Sequence, residues 1–166
     1  MMQAAVVTIS DTCYAKSQLD ASGPAVSARL QEKGWSVALH EVLPDEMTMI
    51  ADRLRTLADS GEVDAIFTTG GTGIAKRDVT PEAVRKVIEK ELPGFGEQMR
   101  AKGLQHTPLA SLSRSIAGTR GKALIVALPG SPKGAVESLD AIVDLVPHVL
   151  RILRGETAHA ATYRRP

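Results

Sequence analysis

The sequence predicts a three-layer αβα domain on a mostly parallel, doubly wound sheet. Three observations carry that expectation. Short β-rich apolar runs alternate with helical stretches in the order β-α-β-α-β-α-α-β-α. Right-handed crossovers then make the strands parallel and cover the sheet on both faces. Polar, glycine-rich segments follow the strands, at residues 10–23, 69–80 and 128–134. The length, 166 residues with 43% hydrophobic and 23% charged, suits one domain over 1–166.

The elements follow in order. "AAVVTIS" (4–10) is a short apolar run that reads as a buried strand. "DTCYAKSQLDAS" (11–22) is polar and non-periodic, hence a loop. Val26, Leu30 and Lys33 share a helical spacing, and Gly34 stops that helix. "WSVALHEV" alternates Trp35, Val37 and Leu39 with polar or small partners, a strand pattern. Residues 44–61 are amphipathic, with Met47, Ile50, Leu54 and Leu57 on one face. "DAIFTTGG" (64–71) is a strand running into a glycine turn. Residues 80–92 read as a helix with Thr80 as N-cap and Pro81 in the first turn. Residues 93–103 are a turn and short helix, and 104–121 are loop-rich. "KALIVALPG" (122–130) is a fourth strand. Residues 131–155 form a helical pair broken at Pro147, and a loose tail follows.

Composition excludes several functions. A formal net charge of +1 argues against broad nucleic-acid binding. Aromatics at 3% leave too few rings for a base-stacking platform. A lone Cys13 cannot form an internal bridge and suits a reducing cytoplasm. No apolar run reaches the ~20 residues of a membrane span, and the N terminus reads as a strand rather than a signal peptide. The histidines, His40, His106, His148 and His159, have no zinc-ligand spacing. A G-x-S-x-G elbow is also absent, which argues against a serine hydrolase.

The chemistry collects in the loops, where ligands of doubly wound sheets bind. Gly70, Gly71 and Gly73, after Thr69 and around Thr72, form either a tight strand-to-helix turn or an anion nest of backbone N–H groups at positive φ. The spacing G-T-G-I-A-K puts Lys76 where a dinucleotide fingerprint needs its last glycine, so a nicotinamide oxidoreductase is disfavoured. Asp78 either caps a turn or pairs with Arg77, or it holds Mg²⁺ beside phosphate oxygens. Asp45 sits at another strand-to-helix connection, as an N-cap or as a second carboxylate on the same rim. Ser10 and Asp11 follow the first strand, and Asp20, Ser22 and Gly23 lead into the first long helix. Ser113, Arg114 and Ser115 are either a solvated loop or an anion-recognition set. Gly130 and Lys133 mark a second helix entrance with accessible N–H groups.

Taken together, "SDTCYAKSQLDASGP", "VLPDE", "TTGGTGIAKRDVTPEA", "PGFGEQMR" and "LSRSIAGTRGKALIVALPGSPK" strongly resemble the molybdopterin adenylyltransferase family. That family comprises Mog/MoaB-type bacterial proteins, the plant Cnx G domain and the gephyrin G domain. The resemblance runs from about residue 5 to 153 and implies a Rossmann-like, MogA-like fold. It implies that Mg-ATP adenylylates the terminal phosphate of molybdopterin and releases pyrophosphate. By resemblance, Asp45 and Asp78 serve catalysis and Mg²⁺. Gly70, Gly71, Thr72 and Gly73 hold ligand phosphates, and Ser10, Asp11 and Thr12 lie near nucleotide and pterin. Ser113 and Arg114 match the pterin-side segment, Pro129 and Gly130 the second glycine turn, and Asp20, Ser22, Arg77 and Lys133 join the binding set. Ala75-Lys76-Arg77 stands where relatives carry PAR or TPR, which keeps a cation. The resemblance further implies a cytoplasmic homo-oligomer, a trimer or hexamer, that hands its product to a MoeA-type insertase and uses neither nucleic acid nor membrane. The alternative it leaves is a non-catalytic molybdopterin-binding or partner-docking protein of the same fold.

Overall fold

The structure, a computed structural model, describes residues 1–156; the tail expected beyond them, with His159, lies outside the described residues. One sheet contains β1 (Gln3–Ile9), β2 (Ser36–Leu43), β3 (Ala65–Thr69), β4 (Lys90–Glu91), β5 (Ile116–Arg120) and β6 (Ala123–Leu128). Their spatial order is β2-β1-β3-β6-β5-β4. The first four run parallel; β5 is antiparallel to β6, and β4 to β5. The helices are α1 (Asp11–Tyr14), α2 (Ser22–Glu32), α3 (Met47–Ser60), α4 (Thr80–Arg85), α5 (Pro93–Leu104), α6 (Pro132–Ile142) and α7 (Val146–Leu153).

The parallel strands are apolar along their length because both faces are covered. Ala4, Val6, Phe67 and Val126 point into a core shared with α2, α5, α6 and α7. Ala5, Val7, Ile66 and Ile125 point the other way, onto α3 and α4. Trp35 meets Phe67 edge to face, with ring centroids 5.9 Å apart.

Several expectations need correction. The sheet has six strands, not four. Residues 104–121 contain a 3₁₀ turn, Pro108–Leu112, and then β5. "IAGTR" has too few apolar residues to show a period. Its better signal was the two-residue connection Gly121-Lys122, with Gly121 at φ +54°, a glycine-first hairpin turn. The helix expected over 80–92 stops at Arg85, and the chain reaches the two-residue edge strand β4. An exposed strand that short has no readable pattern. The first loop contains the single-turn helix α1. A short 3₁₀ segment, Val143–Leu145, breaks the last helical pair, and Pro147 sits in the first turn of α7, where it costs no hydrogen bond.

The chain leaves β1 toward β2, and leaves β3 toward the opposite edge. The carboxyl ends of β1 and β3 are therefore the switch-point crevice, and the end of β6 lies beside them.

Candidate active site

Two glycine turns meet at this rim. Gly70 follows β3 at φ +103° and donates its N–H to Leu128 O at 3.2 Å. A Cβ on Gly70 would fall onto Ile9 O, and one on Gly130 would lie 3.3 Å from Gly70 Cα. Thr69 Oγ1 donates to Pro129 O at 2.8 Å, which ties the turns together. Gly71 has φ +67°, and a side chain there would run into Thr80 Oγ1 and, at 3.0 Å, Asp45 Oδ1. Only glycine suits both demands.

The N–H groups free for a nest begin one residue later than expected. Gly70 spends its N–H on the β6 end, whereas Gly71, Thr72 and Gly73 donate to no acceptor among the described residues. Gly73 is not at positive φ. Its small size instead admits the Asp78 carboxylate, which would lie 2.8 Å from a Cβ there. Thr80 is not the N-cap of α4; Val79 is. Thr80 turns inward, is fully buried, and donates to Gly70 O at 2.9 Å.

A first cleft of about 330 Å³ opens against these turns. It brings together Ser10, Asp20, Ser22, Asp45, Thr69, Gly70, Gly71, Asp78 and Gly130 from four loops. Asp45 does not cap its own helix, where Glu46 is the N-cap. Its Oδ2 accepts the Asp11 N–H at 3.0 Å, and Asp11 Oδ1 accepts the Asp45 N–H at 3.0 Å. This reciprocal pair locks the first two loops together. Arg77 adds a fork onto Asp11, with Nε and Nη2 both at 2.9 Å, and reaches Glu46 at 3.1 Å. Asp78 accepts the Ala75 N–H at 2.8 Å and does not pair with Arg77.

The electrostatics are uneven. Burial pushes the Asp45 carboxyl above its ordinary range, and the charges of Asp11 and Asp78 add to the rise. The Arg77 hydrogen bonds hold Asp11 below it. Burial works against ionised Asp20, but hydrogen bonds from the Thr8 hydroxyl (2.6 Å) and the Gly23 amide (3.0 Å), with His40 at 2.9 Å, outweigh it and lower its pKa.

A second cleft of about 310 Å³ lies on the other side of the turns and shares Gly130 with the first. Thr72, Gly73, Ser113 and Pro129 line it, with Met99, Leu109 and Leu112 as apolar walls. Arg100 and Glu137 also line it, and the sequence reading did not single them out. Arg100 closes the stretch "PGFGEQMR" and Glu137 stands in α6 without a motif; the packing of α5 against α6 turns them toward one space. A third cleft, about 330 Å³, lies beside β5 and takes in Arg114 and Ser115.

Arg114 differs from its expected part. Its N–H groups bond Gly73 O and Asp78 O at 2.8 Å each and the Glu82 carboxylate, while its backbone N–H holds Thr72 O at 2.8 Å. The guanidinium clamps the glycine loop. Ser115 is buried and pairs its hydroxyl with Ser113 at 2.9 Å. Asp11, Thr12, Gly23, Arg77 and Lys133 line none of the three clefts. Thr12 bonds Gln18, and Lys133 is exposed beside Glu137.

The carboxylates of Asp20, Asp45 and Asp78 at one cleft, beside backbone N–H groups without acceptors among the described residues, suit a cation and a phosphate ester held together. Comparison with known proteins gives the family. A family model described as "Probable molybdopterin binding domain" matches residues 5–148. The chain is 41% identical over 152 residues to the molybdopterin adenylyltransferase of Helicobacter pylori strain J99, covering 90% of this chain and 86% of that protein. It is 40% identical over 154 residues to the molybdenum cofactor synthesis protein cinnamon of Drosophila melanogaster, 92% of this chain but 26% of that longer protein. The crystal structure of the molybdopterin biosynthesis enzyme MoaB from Thermus thermophilus superposes with a TM-score of 0.87 at 45% identity, covering 93% of this chain and 98% of that one. The chain belongs to the molybdopterin-binding domain family of molybdenum cofactor biosynthesis proteins.

Proposed function

We propose that this chain is a molybdopterin adenylyltransferase, with ATP in the first cleft and the pterin in the second. The observation that carries this arrangement is the shared wall: the two clefts meet at Gly130, back to back with Gly70. A pterin phosphate reaching across that wall meets an α-phosphate on the other side. One of its oxygens attacks the α-phosphorus, the bond to the bridging oxygen breaks, and pyrophosphate leaves. The protein supplies position and charge balance rather than covalent chemistry.

The first cleft carries Asp20, Asp45 and Asp78, so a bare triphosphate would be repelled. The donor set fits Mg²⁺, which takes one or two carboxylates and completes its shell with phosphate and water oxygens. The raised pKa of Asp45 points the same way, because a cation relieves the crowding of like charge. Bound there, Mg²⁺ supplies charge neutralisation at the phosphates. The N–H groups of Gly71, Thr72 and Gly73 orient the phosphates between which the adenylyl group is transferred. Arg77, by pinning Asp11 and Glu46, keeps the first two loops in register with the glycine loop.

Pyrophosphate release from ATP, measured with Mg²⁺ and molybdopterin, tests the reading. Release should require the pterin and fall by ~10²-fold or more in Asp78→Asn. Tight pterin binding without release would favour the non-catalytic docking protein. The same reading makes the chain a cytoplasmic homo-oligomer, with a trimer expected from light scattering, and makes a MoeA-type insertase the acceptor of the product.

A further inference from the structure

We propose that Glu137 is the specificity-determining residue of the second cleft, and that its carboxylate reads the 2-amino-4-oxo edge of the pterin ring. This rests on placing the pterin in that cleft. A pterin presents two parallel donors, N3–H and the 2-amino group, in one plane. A carboxylate offers two acceptors at matching spacing, and such charge-assisted, bidentate pairs are the strong ones.

Glu137 is placed for this. It stands on α6 with Gly134 and Ser138, residues three before and one after, and all three line the cleft. Its side chain is 21% exposed, so its carboxylate is partly desolvated at the cleft wall. His106 Nε2 at 3.6 Å and Lys133 Nζ at 3.8 Å both approach Oε1. Among the described residues, Oε2 makes no hydrogen bond. Both approaches are to the same oxygen, which leaves the other as acceptor capacity for a ligand. Pro129 and Leu109 give the cleft flat apolar walls for the ring. Thr72 and Ser131 add hydroxyls that suit the ring's acceptor atoms.

The nearest wrong ligand is a lumazine, which has a C2 carbonyl in place of the 2-amino group. That oxygen would face the carboxylate, so the site discriminates by repulsion as well as by lost bonding.

The test is a fluorescence titration of the full chain with 6-hydroxymethylpterin and 6-hydroxymethyllumazine. Wild type should prefer the pterin by about 10- to 100-fold. Glu137→Gln, which keeps the shape, should lose that preference. With molybdopterin as substrate its KM should rise while kcat stays near wild type. A wild type that binds both compounds equally, or a Glu137→Gln protein that keeps the preference, overturns the assignment. Pyrophosphate release measured alongside separates the two readings. Molybdopterin-dependent release without pterin preference leaves adenylyl transfer standing and removes Glu137. Pterin preference that depends on Glu137, without release, leaves the recognition standing and removes adenylyl transfer.

Discussion

At the scale of single residues, Asp45 shows the cost of a buried carboxylate. Its pKa lies above the ordinary 3.8 through burial first and neighbouring acids second. A carboxyl whose folded pKa is raised binds its proton more tightly in the folded state. Stability from this group is therefore full below the unfolded pKa and is lost as pH rises from 3.8 through the folded value. Asp45→Asn keeps an acceptor for the Asp11 N–H and removes the buried charge. We expect a higher Tm than wild type at pH 7, by a few degrees, together with loss of adenylyl transfer. Melting curves at pH 4 and 7 check the sign, since the gap between variant and wild type should shrink at the lower pH. The sequence offered Asp45 as helix cap or rim carboxylate. The choice came from Asp11, 34 positions away, whose N–H its side chain accepts.

At the scale of elements, the glycine loop is held from outside itself. Arg114 comes from the segment before β5 and bonds Gly73 O, Asp78 O and Glu82, spanning both ends of the loop. A lysine carries the same charge but cannot reach several acceptors with a planar fork. Arg114→Lys should lower kcat/KM by about 10- to 100-fold and destabilise the fold by ~1–3 kcal/mol. Steady-state kinetics with a urea titration would check this, and wild-type values in both would remove the clamp. The three serine and arginine positions at 113–115 were legible as polar and grouped. Whether they face a ligand or the protein depended on where β5 places them, and β5 itself left little trace in the sequence. The same is true of β4 and the short α1. Elements this short that lack an apolar run take their conformation from their neighbours, because local propensity summed over so few positions is small.

At the scale of the whole molecule, the site stands on a two-sided core whose centre is β3. Phe67 is fully buried there and packs against Trp35. Phe67→Ala should cost ~3–5 kcal/mol, a large share of the 5–15 kcal/mol typical of a domain. Its urea midpoint should fall with an unchanged m-value. By itself, the sequence determined the layered α/β class, the parallel strands β1, β2, β3 and β6, and the rim on which the chemistry gathers. Those follow from long apolar runs and from glycine turns after strands, which are local signals strong enough to survive any packing. Tertiary structure alone decided the pairing of β4 with β5, the turn of Arg114 onto the glycine loop, the reciprocal lock of Asp11 with Asp45, and the presence of Glu137 in the second cleft. Each depends on groups far apart in the chain, and no local pattern records which distant partner a polar side chain will meet.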